Sequence, residues 1–314
     1  MPDPYGDSLH MLRLSGALYC GSDAGAPWGV ALPALPGYLT LPVVLTGGCV
    51  LEVGSQTYTL AAGSAALLTR GTEHRMFSAV GVDCVPLFDI ASERSSDRYE
   101  RMTIGGDGPR TRIGYAALLA DDVLTQRLIA ELPDVIVVDG WDDYETEAFS
   151  AVLRLLAREA SEIRPGGETV MTRLADVLVI QIIRWWLANG DVPQRGWLAA
   201  LGDRHIGRAL SVMHRDVARS WTIAELASSA HLSRSAFAER FMTLVGTPPM
   251  SYLTEWRLEQ ARADLARSTQ SIGAVSASVG YASEAAFSRA FKRHHGVTPG
   301  EARRAATPVV ALQG

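Results

Sequence analysis

The sequence is short of several residue types whose abundance would announce a chemistry. Only three of its 314 residues are cysteine, Cys20, Cys49 and Cys84. They are too few and too scattered for a disulfide framework or a zinc knot. Histidine is almost absent from the front of the chain, where His10 and His74 are the only two in the first 200 residues. The apolar stretch over residues 177–183, broken by Gln181, is far short of the roughly 20 residues that cross a bilayer. No basic stretch followed by an apolar one opens the chain, so no secretory signal and no membrane partner are expected, and the thiols should be free in a reducing cytoplasm. Lysine occurs once, at Lys292, among 29 basic residues. Genome base composition accounts for that bias without any mechanism.

Hydrophobic residues make up 47% and charged residues 20%, an ordinary globular balance over a length comfortable for two domains. The net charge of −5 conceals a split. Residues 1–200 carry 15 arginines against 25 carboxylates, whereas residues 201–314 carry 14 basic residues against nine acidic ones. An acidic front and a basic back imply two tasks, the second facing a polyanion.

Short apolar runs at 38–45, 50–53, 57–60, 65–69 and 82–88, broken by Gly-rich turns, predict a small antiparallel sandwich or barrel within residues 8–100. From about residue 112 the apolar period changes to i, i+3, i+4. It predicts helices over 116–132, 144–160 and 168–188, separated by Pro133, the Pro165-Gly166-Gly167 turn and the glycines of 190–196. The third helix is apolar over much of its circumference and so must be buried in a core or against a second subunit.

From residue 203 the punctuation repeats. Ile223, Leu226, Ala227, Ala230, Ser233, Phe237, Phe241, Gly246 and Pro249 return as Ile272, Val275, Ser276, Val279, Ser283, Phe287, Phe291, Gly296 and Pro299. The offset is 49 residues up to Ala230 and 50 from Ser233, so the second copy has one extra residue in its turn. One supersecondary unit is used twice. In the first copy Thr222 and Glu225 form a capping box, His231-Leu232-Ser233 turns the chain, and Ser233 caps a helix that Gly246 ends. In the second, Gly280 supplies the turn and Ser283 the cap. Each unit is a helix-turn-helix with a small phenylalanine core. Pro249 opens a linking helix to residue 267, roughly 27 Å long, that holds the two units as one rigid body. Successive major-groove faces lie about 34 Å apart, so this spacer predicts bent DNA or only one helix fully inserted.

The string Gly280, Tyr281, Ala282, Ser283, Glu284, Ala285, Ala286, Phe287, Ser288, Arg289, Ala290, Phe291, Lys292 and Arg293, followed by Gly296, Val297, Thr298 and Pro299, carries a resemblance. Residues 203–304 resemble the DNA-binding domain of the AraC/XylS family of bacterial transcription regulators, and the upstream copy agrees. On each second helix the inward face is Phe and Ala, which leaves Arg234, Ser235, Ala238 and Glu239 outward in the first unit. Glu284, Ala285, Ser288 and Arg289 are outward in the second. These match the family's base-contacting positions. Arg289 is the strongest candidate, because arginine pairs bidentately with a guanine edge. Glu239 and Glu284 either accept from cytosine or serve their own helix surfaces. Ser233, Ser283, Lys292 and Arg293 are expected to clamp phosphates. Arg257 and Arg262 on the linking helix read as solvated surface, and His294 and His295 as charge compensation at a helix C-terminus.

The front half is similar to the cupin-type sensor of the same family, through Ala26-Pro27-Trp28-Gly29-Val30 and the stretch 60–74 that ends at His74. The resemblance implies an α+β multidomain chain. A cupin-like β-barrel sensor occupies 1–110 and a helical dimerisation or linker region 111–200. An all-α DNA-binding domain follows over 201–314, with units at 222–246 and 271–296. It implies a cytoplasmic, nucleoid-associated regulator, an activator rather than an enzyme, working as a homodimer on double-stranded promoter DNA with RNA polymerase. A cupin metal centre needs two His in H-x-H, a Glu and a later His. Only His74 is in place, so no metal, cofactor or catalytic residue is expected. A cupin enzyme fused to a DNA-targeting module is the alternative from another class, and a nucleoid-binding module a third.

Candidate effector residues are Cys20, Cys84, Trp28 and His74. The subgroup includes regulators that sense reactive chlorine through cysteine oxidation, and this chain similarly has one early and one late Cys. It departs in having Leu87 where a further Cys would follow. Trp28 reads as core or as part of a ligand box, and His74 as a hydrogen-bonded strand-end residue. The signal is left as an oxidant, an organic ligand, or none.

Overall fold

The structure, a computed structural model, describes residues 14–94, 96, 98–120, 123–139, 143–161, 165–191, 193 and 195–305. The chain divides into two compact units. Among the described residues, one comprises 14–120 and 132–191; the other, 123–131 and 193–305.

The first unit is built on two sheets. Strands β1 (Leu14–Gly25), β3 (Tyr38–Thr46), β6 (Ala65–Leu68), β9 (Ser92–Arg94), β10 (Tyr99–Gly105), β11 (Arg110–Ala120) and β12 (Val135–Val138) form a seven-stranded sheet in the order β12-β6-β3-β11-β1-β10-β9. Strands β2 (Gly29–Leu32), β4 (Gly48–Val53), β5 (Gln56–Ala61), β7 (His74–Phe77) and β8 (Val85–Pro86) form a second, in the order β5-β4-β7-β2-β8. Between them Trp28, Val30, Val44, Leu51, Leu60, Leu68 and Met76 close a dense core, none more than 5% exposed. Alternation along each strand supplies these side chains to one face.

Two expectations from the sequence fail here. The helix expected over 116–132 is interrupted, because residues 110–120 are the strand β11, paired antiparallel with β1 on one side and β3 on the other. A central strand buried on both faces reads as a continuous apolar run without the period of two, which resembles a helix segment. The strand expected over 82–88 shrinks to the two residues of β8 and a 3-10 turn over Leu87–Asp89. Val85 and Phe88 there are 47% and 62% exposed, so apolar composition did not mark burial. Helices α2 (Asp143–Ser161) and α3 (Gly167–Asn189) lie close to where the spacing placed them. They pack together, and α3 meets β1, where the Tyr19 hydroxyl donates to Thr172 Oγ1 at 3.0 Å. Leu155 of α2 and Val170 and Val177 of α3 remain exposed.

The regular elements described in the second unit are all helices: α1 (Val123–Glu131), α4 (Trp197–Gly202), α5 (Ile206–Arg215), α6 (Ile223–Ser229), α7 (Arg234–Val245), α8 (Pro249–Arg267), α9 (Ile272–Ser278), α10 (Glu284–His295) and α11 (Pro299–Ala305). Its first half is held by an aromatic stack. Trp197 Nε1 donates to the Tyr252 hydroxyl at 2.9 Å, and that hydroxyl lies 2.7 Å from His214 Nε2. His214 stacks on Trp256 at 4.0 Å. Arg127 of α1 covers the Tyr252 ring at 4.9 Å, a cation–π contact. Helix α1 thus belongs to the core of this unit although its chain neighbours β11 and β12 are strands of the other.

Candidate nucleic-acid interface and effector cavity

The repeat in the sequence is a repeat in space. In the first copy, α6 is closed by the capping box: Glu225 N donates to Thr222 Oγ1 at 3.2 Å, and Thr222 N to Glu225 Oε2 at 2.8 Å. Bonds from Thr222 and from Arg219 hold the Glu225 carboxyl down at about 2. The turn then needs one residue in the left-handed region. His231 fills it at φ 54°, and in the second copy Gly280 fills it at φ 84°. Both stand at the 49-residue offset. The added residue follows the left-handed one, between Tyr281 and Ser283, which explains why the offset becomes 50 at the serines.

Ser233 accepts from Ala236 N at 3.3 Å and Ser283 from Ala286 N at 3.2 Å, so both are N-caps of the second helices, α7 and α10. Their inner faces are Phe237 on Phe241 and Phe287 on Phe291, with ring centroids 5.6 and 5.5 Å apart. All four phenylalanines are fully buried. That forces the other face outward. Ser233, Arg234, Ser235, Glu239, Ser283, Glu284, Ala285, Arg289, Lys292 and Arg293 are exposed, and Ala238 and Ser288 are half-buried at the edge of each face. The twelve residues expected to meet DNA therefore fall on two faces of equivalent position, one per unit.

Other charged residues hold the units together. Arg240 donates through Nε to both oxygens of Asp203, at 3.1 and 3.0 Å, while Asp203 accepts from the backbone N of His205 and Ile206. Arg257 corrects the reading of it as solvated surface. Its guanidinium donates to the carbonyls of Val217 at 2.9 Å and Arg219 at 2.7 Å, tying α8 to the loop before α6. No periodicity signals such a bond, because its acceptors are main-chain atoms 40 and 38 residues away.

In the first unit the four candidate effector residues do not form one site. Trp28 is 3% exposed within the core. His74, 4% exposed, lies 2.8 Å through Nδ1 from the Thr72 carbonyl and 3.1 Å through Nε2 from the Tyr115 hydroxyl. Burial lowers its pKa, which favours the neutral ring. Burial pushes the Cys20 thiol up to about 11 and Cys49 up to about 12, and raises Cys84, which is half-buried just before β8.

Only Cys20 of the four borders a cavity found in this unit. The space, about 280 Å³, lies not between the two sheets but on the outer side of the larger one. Its floor is Gly21 of β1, Leu41 and Val43 of β3, and Gly114 and Ala116 of β11. Its roof is Leu156 of α2 and Met171, Ala175 and Leu178 of α3. Arg101, Arg112 and Asp23 bring charge to a lining that also holds Ser22 and the tyrosines Tyr19, Tyr99 and Tyr115; Asp23 lies 3.4 Å from Arg110 and 3.8 Å from Arg112. Small residues on the sheet leave the room: a Cβ on Gly21 would stand 2.6 Å from the Tyr99 hydroxyl. A run of strand residues gives no sign that a helix will stand off from it, so this cavity was not readable in the sequence.

Two capped helix-turn-helix units on one stiff helix, preceded in the chain by a two-sheet unit, define a DNA-binding protein of the helix-turn-helix class. Known families agree. Residues 3–188 match a family described as Cupin, and residues 226–305 one described as Helix-turn-helix domain. The chain is 35% identical over 312 residues to a putative AraC-like transcription regulator of Streptomyces antibioticus, covering 98% of this chain and all of that one. It is 34% identical over 148 residues, 47% of this chain and 52% of the other, to the RCS-specific HTH-type transcriptional activator RclR of Escherichia coli. Among solved structures, the DNA-binding domain of the global transcriptional factor AdpA in complex with a target DNA is 27% identical, covering 32% of this chain and 93% of that one at a TM-score of 0.32. The chain belongs to the AraC-like transcription regulators. It is a DNA-binding regulator with a cupin domain, and not an enzyme.

Proposed function

We propose that this regulator is an activator that reads its promoter through α7 and α10 and takes its signal as a small organic molecule seated between the larger sheet and α2–α3. The observation that carries the DNA half is the pair of equivalent outward faces, each fixed by a serine N-cap and two buried phenylalanines. In this reading Arg289 pairs with a guanine edge and Arg234, Ser235 and Glu239 read the other groove. Ser233, Ser283, Lys292 and Arg293 hold phosphates. RNA polymerase is the protein partner, the cytoplasmic nucleoid the place of work, and the exposed Leu155, Val170 and Val177 support a homodimer.

The cavity favours an organic ligand over an oxidant. Thiols pushed above the usual range are scarcely ionised at neutral pH, and the thiolate is the reactive form. A ligand there touches Met171, Ala175 and Leu178 of α3, the helix that also bears the exposed Val170 and Val177. The signal then leaves the sensor along the chain through α1, whose Arg127 covers Tyr252.

Substitution of Arg289 tests the reading. Arg289→Ala should cost roughly 1–3 kcal/mol on the chain's own operator and relax preference at one base pair. An equal loss on random duplex would show that Arg289 serves only as a charge.

A further inference from the structure

Glu259 on α8 and His294 and His295 at the end of α10 present three metal-binding atoms to one point. Glu259 Oε1 lies 3.0 Å from His294 Nε2 and 3.9 Å from His295 Nδ1, and all three atoms fall within 4.8 Å of one another. Ligand bonds of about 2.0–2.1 Å in a tetrahedral zinc site put neighbouring ligand atoms about 3.3 Å apart. The triangle therefore needs only small side-chain adjustment to close on an ion.

The sequence alone does not predict this convergence. Neighbouring residues on a helix point about 100° apart. Here α8 passes beside the last turn of α10, and Gly296 ends the helix in the left-handed conformation directly after His295.

A second feature orients the site. The His295 side chain is 3% exposed and packs on Phe291 at 4.4 Å between ring centroids. Its Nε2 lies 3.2 Å from the Leu258 carbonyl, an acceptor only, so the ring donates there and Nδ1 keeps its lone pair for the cluster. Metal-bound histidines are held in the same way, with the other ring nitrogen donating to a carbonyl or carboxylate. The Arg262 guanidinium stands 3.5 Å from Nδ1, at the long limit of a hydrogen bond, on an exposed side chain that can swing out to solvent.

We propose that Glu259, His294 and His295 form a divalent transition-metal site, with zinc as its natural occupant, that clips the second recognition helix to the linking helix. Two imidazoles and one carboxylate suit zinc and its neighbours, and not calcium or magnesium, which require oxygen ligands throughout. Water completes the fourth position. The clip ties α10 to α8 at the end away from the Ser283 cap. It does not depend on a signal entering the first unit, so it stands or falls apart from the effector reading.

The test uses the full chain, stripped with EDTA and dialysed. Zinc chloride is titrated by calorimetry, cobalt chloride is followed by its visible absorption, and the thermal midpoint is read with and without zinc. We expect one equivalent of zinc, a tetrahedral cobalt spectrum, a midpoint raised by several degrees, and no effect of magnesium. His294→Ala and Glu259→Gln, both at partly exposed positions, should each weaken zinc at least tenfold and remove the shift. Absence of saturable binding overturns the proposal. So does binding that survives both substitutions, because the ion would then lie elsewhere.

Discussion

Burial sets the chemistry of single side chains here more than neighbouring charge does. Cys20 and Cys49 are buried and pushed up to about 11 and 12, whereas Cys84 is half-exposed. Iodoacetamide at pH 7.5 should therefore label Cys84 first and reach Cys20 and Cys49 only after denaturation; mass spectrometry of the digest reads this directly. Rapid labelling of Cys20 in the native chain would restore the oxidant reading. His214 shows the same control in the other unit. Burial, aided by the Arg127 charge, lowers its pKa to about 3. Unfolding lets it regain a proton below about 6.5. The unfolded state then binds more protons between those two values, so stability falls as pH drops from about 6.5 toward 3, by at most ~1.4 kcal/mol per pH unit from this residue. Above pH 6.5 it contributes no slope. Denaturant midpoints of the native chain and of His214→Gln across that window should differ in slope, and parallel curves would place the acid sensitivity elsewhere.

The recognition units were legible as elements because their constraints are local and sit at fixed offsets. The serine caps, the paired phenylalanines and the closing glycines each do one geometric job, and the second copy repeats them. Even the extra residue in the second turn was visible as a change of offset. The left-handed position separates the copies chemically. Gly280 suits φ 84°, and a Cβ there would lie 2.5 Å from the Ala218 carbonyl oxygen. Gly280→Ala should cost ~1–3 kcal/mol. His231→Gly, at φ 54°, should be neutral or stabilise by up to about 1 kcal/mol. Chemical denaturation of both variants checks the pair, and equal losses would mean that the two turns are not equivalent.

Elsewhere the local signal failed for a physical reason. Residues 110–120 are flanked by β1 and β3, so both faces are apolar and the strand period vanishes. Residues 82–88 are apolar but exposed, so composition promised a strand that has no sheet to bury it. Arg257 could not be read because its partners are main-chain carbonyls far along the sequence. The cavity depends on how α2 and α3 stand over small residues of β1 and β11, and no single segment records that.

At the scale of the molecule, one chain supplies a cupin unit and a helical DNA-binding unit and crosses between them more than once. Residues 123–131 form α1: the chain leaves the larger sheet after β11, packs in the helical unit through Arg127, and returns as β12. A single flexible linker would uncouple the two. Here a helix packed in one unit is instead joined at both its ends along the chain to strands of the other. Length and charge suggested a division of labour, with the acidic front and basic back marking its two parts. They did not show that the division is interleaved along the chain.

The most direct measurement of the whole account is competition binding of the full chain to the duplex upstream of its own gene or its divergent neighbour, against a shuffled duplex of equal length and composition, at fixed salt. Two base-reading faces predict a preference of about 10³ or more for one site, with protection spanning successive major grooves. Equal affinity for both duplexes would contradict it, because the outward faces of α7 and α10 would then be gripping phosphates alone.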